Sequence, residues 1–387
     1  MNANTHTKVN ATDPVSARLD FLDALRGIAA AYVVLFHLVY VGGVTPPAWL
    51  LGFTRQGGSG VMLFFVVSCF SLFLTMPARL REEHPRLSFY MHRFFRIAPL
   101  FYVWLLASVL INTYRYNVHN SVSEILQSVF FVFNFVPGNQ AGIVMASWTI
   151  GVEMLFYAIF PWIYFRTRNL IQASSLVICA FVAYFLMAFV LPLLPLSPET
   201  AASYENWFVL KDLPVFSFGA VCYFVLAHRL RSEPGPHFRS VGSLLLFAFA
   251  YLMIAFANGW VSNQVFGDNP YAWQAVFYAL LLVGLYMNPL RLLVNKVTTF
   301  LGTISYSLYL AHARIIVLMQ PWFSHMQSHH RSPSKTYLLC VAATFLVAVP
   351  ISYVTYRLIE LPGIKAGKSA YRWIAQLKRV KLQVSKG

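Results

Sequence analysis

Three ionisable side chains lie within the first long apolar run of this chain of 387 residues. His37 follows Arg26 by eleven positions, which is close to three helical turns and about 16 Å of rise. Asp23 precedes Arg26 by one turn, so a helix presents all three on one face. An imidazole in such a stripe could serve as a general base or a nucleophile. The alternative is that Arg26 snorkels to the cytosol and His37 is a packed interior histidine.

A carboxylate opens the fourth apolar run, in the segment Ser147–Glu153. Glu153 is expected at a depth similar to that of His37, and a carboxylate commonly fixes the tautomer of a histidine. We therefore predict that Glu153 orients His37 and stabilises its imidazolium form. A structural tie without chemistry is the alternative.

Two arginines begin the third apolar run. Arg93 and Arg96 are three residues apart and share a helix face. Together with Arg26 they would gather positive charge where the apolar runs end, and guanidinium groups suit bidentate recognition of phosphate. The alternative is that these arginines only set the orientation of the chain, because cytosolic loops of membrane proteins carry an excess of lysine and arginine.

Further polar side chains interrupt a late apolar run at helical spacing, namely Ser305, Tyr309 and His312. We predict substrate contacts for these three and also for Asp23 and Trp148. Hydrogen bonding between neighbouring helices is the ordinary alternative for the polar stripe. Aromatic and amide residues near positions 258–273 could stack on a sugar, although an interfacial aromatic belt explains them equally well; they are Asn258, Trp260, Asn263, Asn269, Tyr271 and Trp273.

The elements that must position these residues are membrane helices. The chain is 58% hydrophobic and only 11% charged, whereas soluble domains carry about 25% charged residues. Apolar runs long enough to cross about 30 Å of hydrocarbon recur along it. We predict an all-α polytopic membrane protein, a bundle of about ten transmembrane helices, at 22–41, 60–76, 94–111, 148–165, 172–194, 212–227, 241–257, 272–287, 299–319 and 337–357.

The net charge of +16 lies between the apolar runs rather than on one polar domain. This placement is typical of cytosolic loops and argues against nucleic acid as a partner. The four cysteines all lie inside apolar runs and far apart, so we predict packing roles rather than disulfides or a metal site.

The segment Ser123–Val136 is apolar but short for a span. If it does not cross, both termini are cytosolic and six of the 29 lysines and arginines lie outside: Arg55, Arg115, Lys211, Arg314, Arg331 and Lys335. If it crosses, more than half of them face outside, against the positive-inside rule. We therefore predict a re-entrant or interfacial segment on the outer face. The resulting organisation is a disordered cytosolic N-terminus at 1–18, a membrane domain at 19–362 and a basic cytosolic tail at 363–387, which could rest on anionic lipid.

In this order the motifs resemble acyltransferase family 3, the bacterial membrane O-acyltransferases that modify lipopolysaccharide, exopolysaccharide and similar glycans. The resemblance covers Leu19 to about Pro362. It rests on LDALR ending at Arg26 with His37 following, FFVVS (64–68), RFFR (93–96), SWTIGVE (147–153), GTISYSLYLAH (302–312) and ELP (360–362). The chain departs from the usual family pattern at Met62, Cys69 and Met154.

The resemblance implies that Arg26 and His37 form the essential arginine–histidine motif, and that Arg93 and Arg96 form the second basic motif. It also implies an acyl-CoA co-substrate, usually acetyl-CoA, with no tightly bound cofactor, and a glycan acceptor that includes lipid-linked glycans. The expected location is the bacterial inner membrane.

From these features we hypothesise that donor phosphates dock on the three arginines while the thioester reaches His37, which deprotonates the acceptor hydroxyl or carries the acyl group itself. A transporter or permease is the rival class, and a receptor or scaffold is a third. Protection of Arg93 and Arg96 by acyl-CoA would separate the enzyme from a permease, and tolerance of changes at His37 would favour the scaffold.

Overall fold

The computed structural model describes residues 14–227, 237–261, 270–329 and 332–384. Within these ranges the regular elements are helices: α1 (Pro14–Tyr40), α2 (Ala48–Arg55), α3 (Gly60–Arg79), α4 (Pro85–Tyr116), α5 (Val122–Val129), α6 (Trp148–Arg166), α7 (Leu170–Val190), α8 (Pro198–Trp207), α9 (Val209–Ala227), α10 (Phe238–Ala257), α11 (Pro270–Met287), α12 (Lys296–Thr303), α13 (Ser305–His329), α14 (Pro333–Thr355) and α15 (Leu361–Val384).

The all-helical, polytopic membrane fold is confirmed. In the described ranges, eight helical stretches are long and apolar enough to cross a membrane, and nine if the bent pair α12–α13 counts as one span. This pair bends by 79° within the predicted span 299–319. Helix α11, at the predicted span 272–287, is apolar but shorter. The number of ten spans therefore stays a prediction.

The segment Ser123–Val136 contains a short helix and a turn. Helix α5 has 8 residues, which is about 12 Å of rise and far below a span. Its start is fixed by a capping box, in which the Ser121 side chain accepts from the amide of Glu124 and the Glu124 carboxylate accepts from the amide of Ser121. A single turn of 3₁₀-helix follows at Phe133–Phe135. This geometry agrees with a segment that does not cross, and its side of the membrane stays a prediction.

Both predicted tails are helical where they are described. Helix α1 begins at Pro14, so residues 14–18 extend the first helix. Residues 1–13 of the predicted disordered N-terminus and residues 385–387 of the basic tail lie outside the described ranges. A π-helical turn, Tyr356–Glu360, joins α14 to α15, and such turns are frequent at functional sites.

Glycines bring α1 and α12 close together. A Cβ atom on Gly27 would overlap the backbone of α12 at Thr298, and one on Gly302 would overlap the Asp23 carbonyl of α1. Small residues allow helix backbones to approach in this way. The contact fixes the half of α1 that contains Arg26, in the helix that carries both Arg26 and His37.

The helices differ in how much of their surface packs inside the protein. The stretch that contains α3 is 67% buried, whereas α7 and α10 are 17% buried. Helices α1, α3, α6 and α13 supply many of the buried side chains, and α7, α10 and α14 present mainly apolar side chains outward. Buried polar groups need hydrogen-bond partners, and tightly packed helices can supply them.

Candidate active site

A cavity of about 250 Å³ lies among α1, α3, α4, α6 and α13. Its walls combine three arginines, a glutamate, hydroxyl groups and aromatic rings, namely Arg26, Val61, Phe64, Phe65, Ser68, Ser71, Thr75, Arg93, Arg96, Ile97, Thr149, Ile150, Glu153, Tyr157, Ser305, Tyr306 and Tyr309. The predicted gathering of Arg26, Arg93 and Arg96 around one space is therefore present in the structure.

Arg26 is held by two neighbours on different helices. Its Nη1 donates to Oδ1 of Asp23 at 3.0 Å, and its Nη2 donates to Oγ of Ser71 at 2.8 Å. The Asp23 side chain keeps 46% of its exposure and does not line the cavity. Asp23 thus orients Arg26 without lining the cavity, and its substrate contact stays a prediction.

Arg93 and Arg96 form no ion pair within 4.0 Å in the described ranges. The Arg93 guanidinium carbon lies 5.5 Å from the ring centroid of Tyr157, and its buried Nε has no hydrogen-bond partner in the structure. Arg96 lies in the field of Glu360 and Glu153, and no ion pair within 4.0 Å engages it in the described ranges. Guanidinium donors of this kind are available to an anion.

Glu153 lines the cavity beside the arginines. Its Oε1 accepts a hydrogen bond from Oγ of Ser68 at 2.9 Å and a very short one from the Tyr157 hydroxyl. Among the residues described, no hydrogen bond links it to His37, so the prediction that Glu153 orients His37 is wrong. Similar depth in the membrane did not imply contact, because α6 packs on α3, α4 and α9 rather than on α1.

A second histidine takes the place predicted for Glu153. Nε2 of His312 lies 3.1 Å from Nδ1 of His37, and the ring centroids are 4.8 Å apart. His312 is fully buried. The sequence indicated both residues, but their distance of 275 positions gave no sign that they pair.

Backbone carbonyls assign the tautomers of this pair. Nδ1 of His312 lies 2.6 Å from the Tyr309 carbonyl, and Nδ1 of His37 lies 3.0 Å from the Val33 carbonyl. A carbonyl only accepts, so each Nδ1 carries the hydrogen of a neutral ring. The one hydrogen on Nδ1 of His37 is then shared between two acceptors, the Val33 carbonyl and Nε2 of His312, and Nε2 of His37 keeps its lone pair. No hydrogen bond within the described part of the chain occupies that atom.

His37 does not itself line the cavity. Tyr309 does, and its ring centroid is 5.5 Å from that of His312. The Tyr309 hydroxyl accepts from Oγ1 of Thr149 at 2.9 Å and donates to the Ala146 carbonyl at 3.1 Å. The predicted stripe on α13 is therefore divided: Ser305 and Tyr309 face the cavity, and His312 faces His37.

Trp148 lies outside the cavity. Its ring packs against Trp207 with centroids 4.9 Å apart and against Phe65 at 6.4 Å. The next two residues, Thr149 and Ile150, line the cavity instead, because successive positions on a helix point about 100° apart. Trp148 therefore does not line this cavity, and its substrate contact stays a prediction.

The sequence analysis gave no role to several polar groups of this site. Ser68, Ser71 and Tyr157 hold the glutamate and arginine side chains. Glu360 is 1% exposed and accepts from Oγ of Ser307 at 2.8 Å. Glu360 belongs to the motif at 360–362. Its position at the end of an apolar run is the sequence signal that could have indicated a buried glutamate.

The aromatic and amide residues near positions 258–273 form no comparable cluster among those that the structure describes. Trp260 is 68% exposed, Tyr271 lies beneath the ammonium of Lys211 at 4.8 Å from its ring centroid, and Asn263 and Asn269 lie outside the described ranges. The choice between a sugar site and an aromatic belt stays open there.

Comparison with known proteins places the chain in a family. The sequence pattern of the acyltransferase 3 family, described as an acyltransferase domain, matches residues 19–357. The chain therefore belongs to this family and carries an acyltransferase domain that lies in the membrane.

Individual relatives are more distant. ORF330 of Acidianus two-tailed virus, provisionally named an acetyltransferase, is 25% identical over 74% of this chain and 80% of its own length. The O-acetyltransferase OatA of Staphylococcus aureus (strain NCTC 8325 / PS 47) is 25% identical over 92% of this chain and 59% of its own length. The chain thus spans little more than half the length of this relative. No solved structure matches it.

Proposed function

We propose that this protein is a membrane O-acyltransferase that moves an acyl group, usually acetyl, from cytosolic acyl-CoA to a hydroxyl of a cell-surface or exported glycan. The observation that carries the proposal is the cavity with three arginines at positions 26, 93 and 96 and one lining carboxylate. Family membership and the names of the relatives support the same chemistry.

The arginines suit the phosphates of the donor. Arg93 and Arg96 come from one helix and Arg26 from another, so the cavity presents donors from two directions. Charge-assisted hydrogen bonds to phosphate are about twice as strong as neutral ones. In an apolar bundle such a concentration of cations is costly, and a bound anion offsets that cost.

The histidine pair suits proton transfer. In the proposed step the acceptor hydroxyl gives its proton to Nε2 of His37 as its oxygen bonds to the thioester carbonyl carbon. Collapse of the tetrahedral intermediate breaks the carbon–sulfur bond, and the leaving thiolate of coenzyme A takes the proton from Nε2 of His37, which regenerates the base. His312, hydrogen-bonded to Nδ1, holds the tautomer that leaves Nε2 available.

Transfer in two steps is the variant in which Nε2 of His37 itself attacks the thioester and then passes the acyl group to the hydroxyl. Ping-pong kinetics, or acyl label trapped on His37 by rapid acid quench, would distinguish this route from direct transfer. Because His37 does not line the cavity, either route requires the thioester to reach beyond the cavity wall.

The proposal is tested with the full chain in proteoliposomes. Binding of radiolabelled acetyl-CoA is expected for the wild type, with binding at least tenfold weaker for Arg96→Gln. In cells, deletion of the protein should remove base-labile acetate from surface glycans. A permease would show neither result, and failure of the wild type to bind acetyl-CoA would refute the proposal. The proposed location is the bacterial inner membrane, with both termini cytosolic.

A further inference from the structure

A second cavity, of about 260 Å³, lies between the end of α4, helix α5 and the loop that leads into α6. We name it the amide cavity, because four of its lining side chains are amides. It is lined by Asn112, Asn120, Glu124, Gln127, Ser128, Phe133, Gly138, Asn139, Ala141, Gly142 and Ile143. The predicted alternation of spans and loops places the segment between α4 and α6 on the outer face, so we predict that the amide cavity opens there.

The amides of this cavity hold one another in place. Asn112 donates to Oδ1 of Asn120 at 3.1 Å, and Asn139 donates to Oε1 of Gln127 at 2.8 Å. Gln127 in turn donates to Oγ of Ser123 at 3.0 Å. An amide group has two donor hydrogens and two acceptor lone pairs, so each keeps unused capacity for a ligand. The set is fixed in geometry and neutral in charge.

One polar group in the wall has no partner. Ser128 is 1% exposed and lines the amide cavity, and its Oγ makes no hydrogen bond in the structure. A buried hydroxyl without a partner costs free energy. Nearby, Nη2 of Arg314 lies 3.4 Å from Oδ1 of Asn112, and Nε of this 7% exposed arginine also lacks a partner. A ligand rich in hydroxyl groups would satisfy such atoms.

The backbone around the cavity is unusual. Within the described ranges, the non-glycine residues with positive φ are Asn117, Phe131 and Ala146, all in this part of the chain. Such conformations are disfavoured for L-residues and cluster at functional sites. At Gly142, with φ of +75°, a Cβ would overlap Oγ of Ser147 and contact the Phe133 ring, so only glycine fits.

The loop links the amide cavity to the catalytic region. Positions 138, 139 and 141–143 line the amide cavity, and the Ala146 carbonyl accepts from the hydroxyl of Tyr309. Thr149 and Ile150 line the first cavity, which contains Arg26, Arg93 and Arg96 and is named the arginine cavity. Within about a dozen residues the chain thus passes from one cavity to the other.

We infer that the amide cavity binds the sugar of the acceptor, with its hydroxyl directed toward Tyr309 and the histidine pair. This inference rests on the proposed function. Uncharged amides, a carboxylate acceptor and a free hydroxyl match a neutral polyol better than they match a phosphate or an acyl chain. The arginine cavity would then hold the donor, and the two substrates would approach from opposite sides.

The sharpest test is Ser128→Ala. Its Oγ makes no bond within the protein, so removing it should not weaken the fold, while it should lower transfer about three- to tenfold, as loss of one hydrogen bond to a neutral ligand does. Ser352→Ala is the matched control, because Ser352 in α14 is also fully buried and also lacks a partner for its Oγ. Asn139→Ala should lower transfer about tenfold, with Gln376→Ala, at an exposed amide of α15, as its control.

Two measurements are made on each variant: base-labile acetate on surface glycans of a complemented deletion strain, and binding of radiolabelled acetyl-CoA by the full chain in proteoliposomes. The inference predicts less acetate with unchanged acetyl-CoA binding for Ser128→Ala and Asn139→Ala. Wild-type acetate in both variants, or equal loss of acetyl-CoA binding, would overturn it. If the wild type itself bound no acetyl-CoA, the proposed function would fail, and the sugar site with it.

Accessibility gives an independent check. Cys179 is exposed and the other three cysteines are buried, so Gln127→Cys is made in a Cys179→Ser background. A membrane-impermeant maleimide should label it in intact cells. Labelling only after the membrane is opened would place the cavity on the cytosolic side and overturn the inference.

Discussion

The arginine cavity and the histidine pair lie in the same helical bundle but differ in the groups that they offer to a substrate. Around the cavity, Arg93 and Arg96 lie near carboxylates without forming an ion pair within 4.0 Å in the described ranges, and Nε of Arg93 lacks a hydrogen-bond partner there. At the pair, His37 and His312 bond to each other and to backbone carbonyls, and Nε2 of His37 has no hydrogen-bond partner among the described residues. One region is suited to receive an anion from outside the protein. The other is suited to keep a neutral base ready.

The difference shows how a membrane protein can place donor binding and proton transfer apart on one helix. Arg26 and His37 both belong to α1, and a rise of about 1.5 Å per residue separates them by about 16 Å. The cations would lie near the cytosolic end, where charge is least costly, and the uncharged base would lie deeper. Four predictions test this division.

The largest effect is expected at the base. His37→Ala should lower acyl transfer by about 10²–10⁴-fold, the usual contribution of general-base catalysis. Binding of acetyl-CoA should change little, because the arginines remain. Transfer is measured as labelled acetate on glycan, with the exposed His325 changed to alanine as the control. Full transfer by His37→Ala would remove the chemical role from the pair.

Loss of one guanidinium should act on binding instead. Arg96→Gln should weaken binding of acetyl-CoA roughly 10- to 100-fold, since a hydrogen bond to a charged group contributes about 1.5–3 kcal/mol. Arg81→Gln removes an exposed cation nearby and should have little effect. If both variants bound acetyl-CoA equally well, the cavity would not be the phosphate site.

The partner of the base should have an intermediate effect. His312→Leu removes the acceptor for Nδ1 of His37 and should lower kcat about tenfold with unchanged acetyl-CoA binding. His312→Gln keeps an acceptor near the position of Nε2 and should recover most of the loss. Equal kcat in the two variants would mean that His312 only fills space.

The smallest effect is expected at Ser71, whose uncharged hydroxyl helps to hold the Arg26 guanidinium in place. Ser71 accepts from Nη2 of Arg26 at 2.8 Å. Ser71→Ala should weaken binding of acetyl-CoA by about two- to fivefold, because Asp23 still holds the guanidinium. Equilibrium binding in proteoliposomes measures this, with Ser352→Ala as a buried serine control. A change as large as that of Arg96→Gln would contradict a merely supporting role.

Much of the fold followed from composition and periodicity. Helices occupy every predicted span, and α5 is too short to cross, as its length and polar residues indicated. The bend of 79° between α12 and α13 was not predicted. Gly302, just before the break, is a residue that weakens a helix, but a single glycine does not specify a bend, and its close contact with the Asp23 carbonyl of α1 appears only in the structure.

For the site, the sequence identified the residues better than their partners. Arg26, Arg93 and Arg96 share a cavity as predicted, yet Glu153 bonds to Ser68 and Tyr157 instead of His37. Spacing along a helix gives depth and face within that helix. It does not say which other helix that face meets.

The sequence by itself determined that this chain folds as apolar helices in a membrane, that its family is acyltransferase 3, and that cations and a histidine share one face of the first helix. These properties can be read along the sequence, because hydropathy and residue spacing belong to single segments and the order of motifs is the order of the chain. Tertiary structure alone decided that His312 pairs with His37 and that amides from three segments enclose a second cavity. Contacts between segments far apart in sequence depend on packing of the whole bundle, which no single segment encodes.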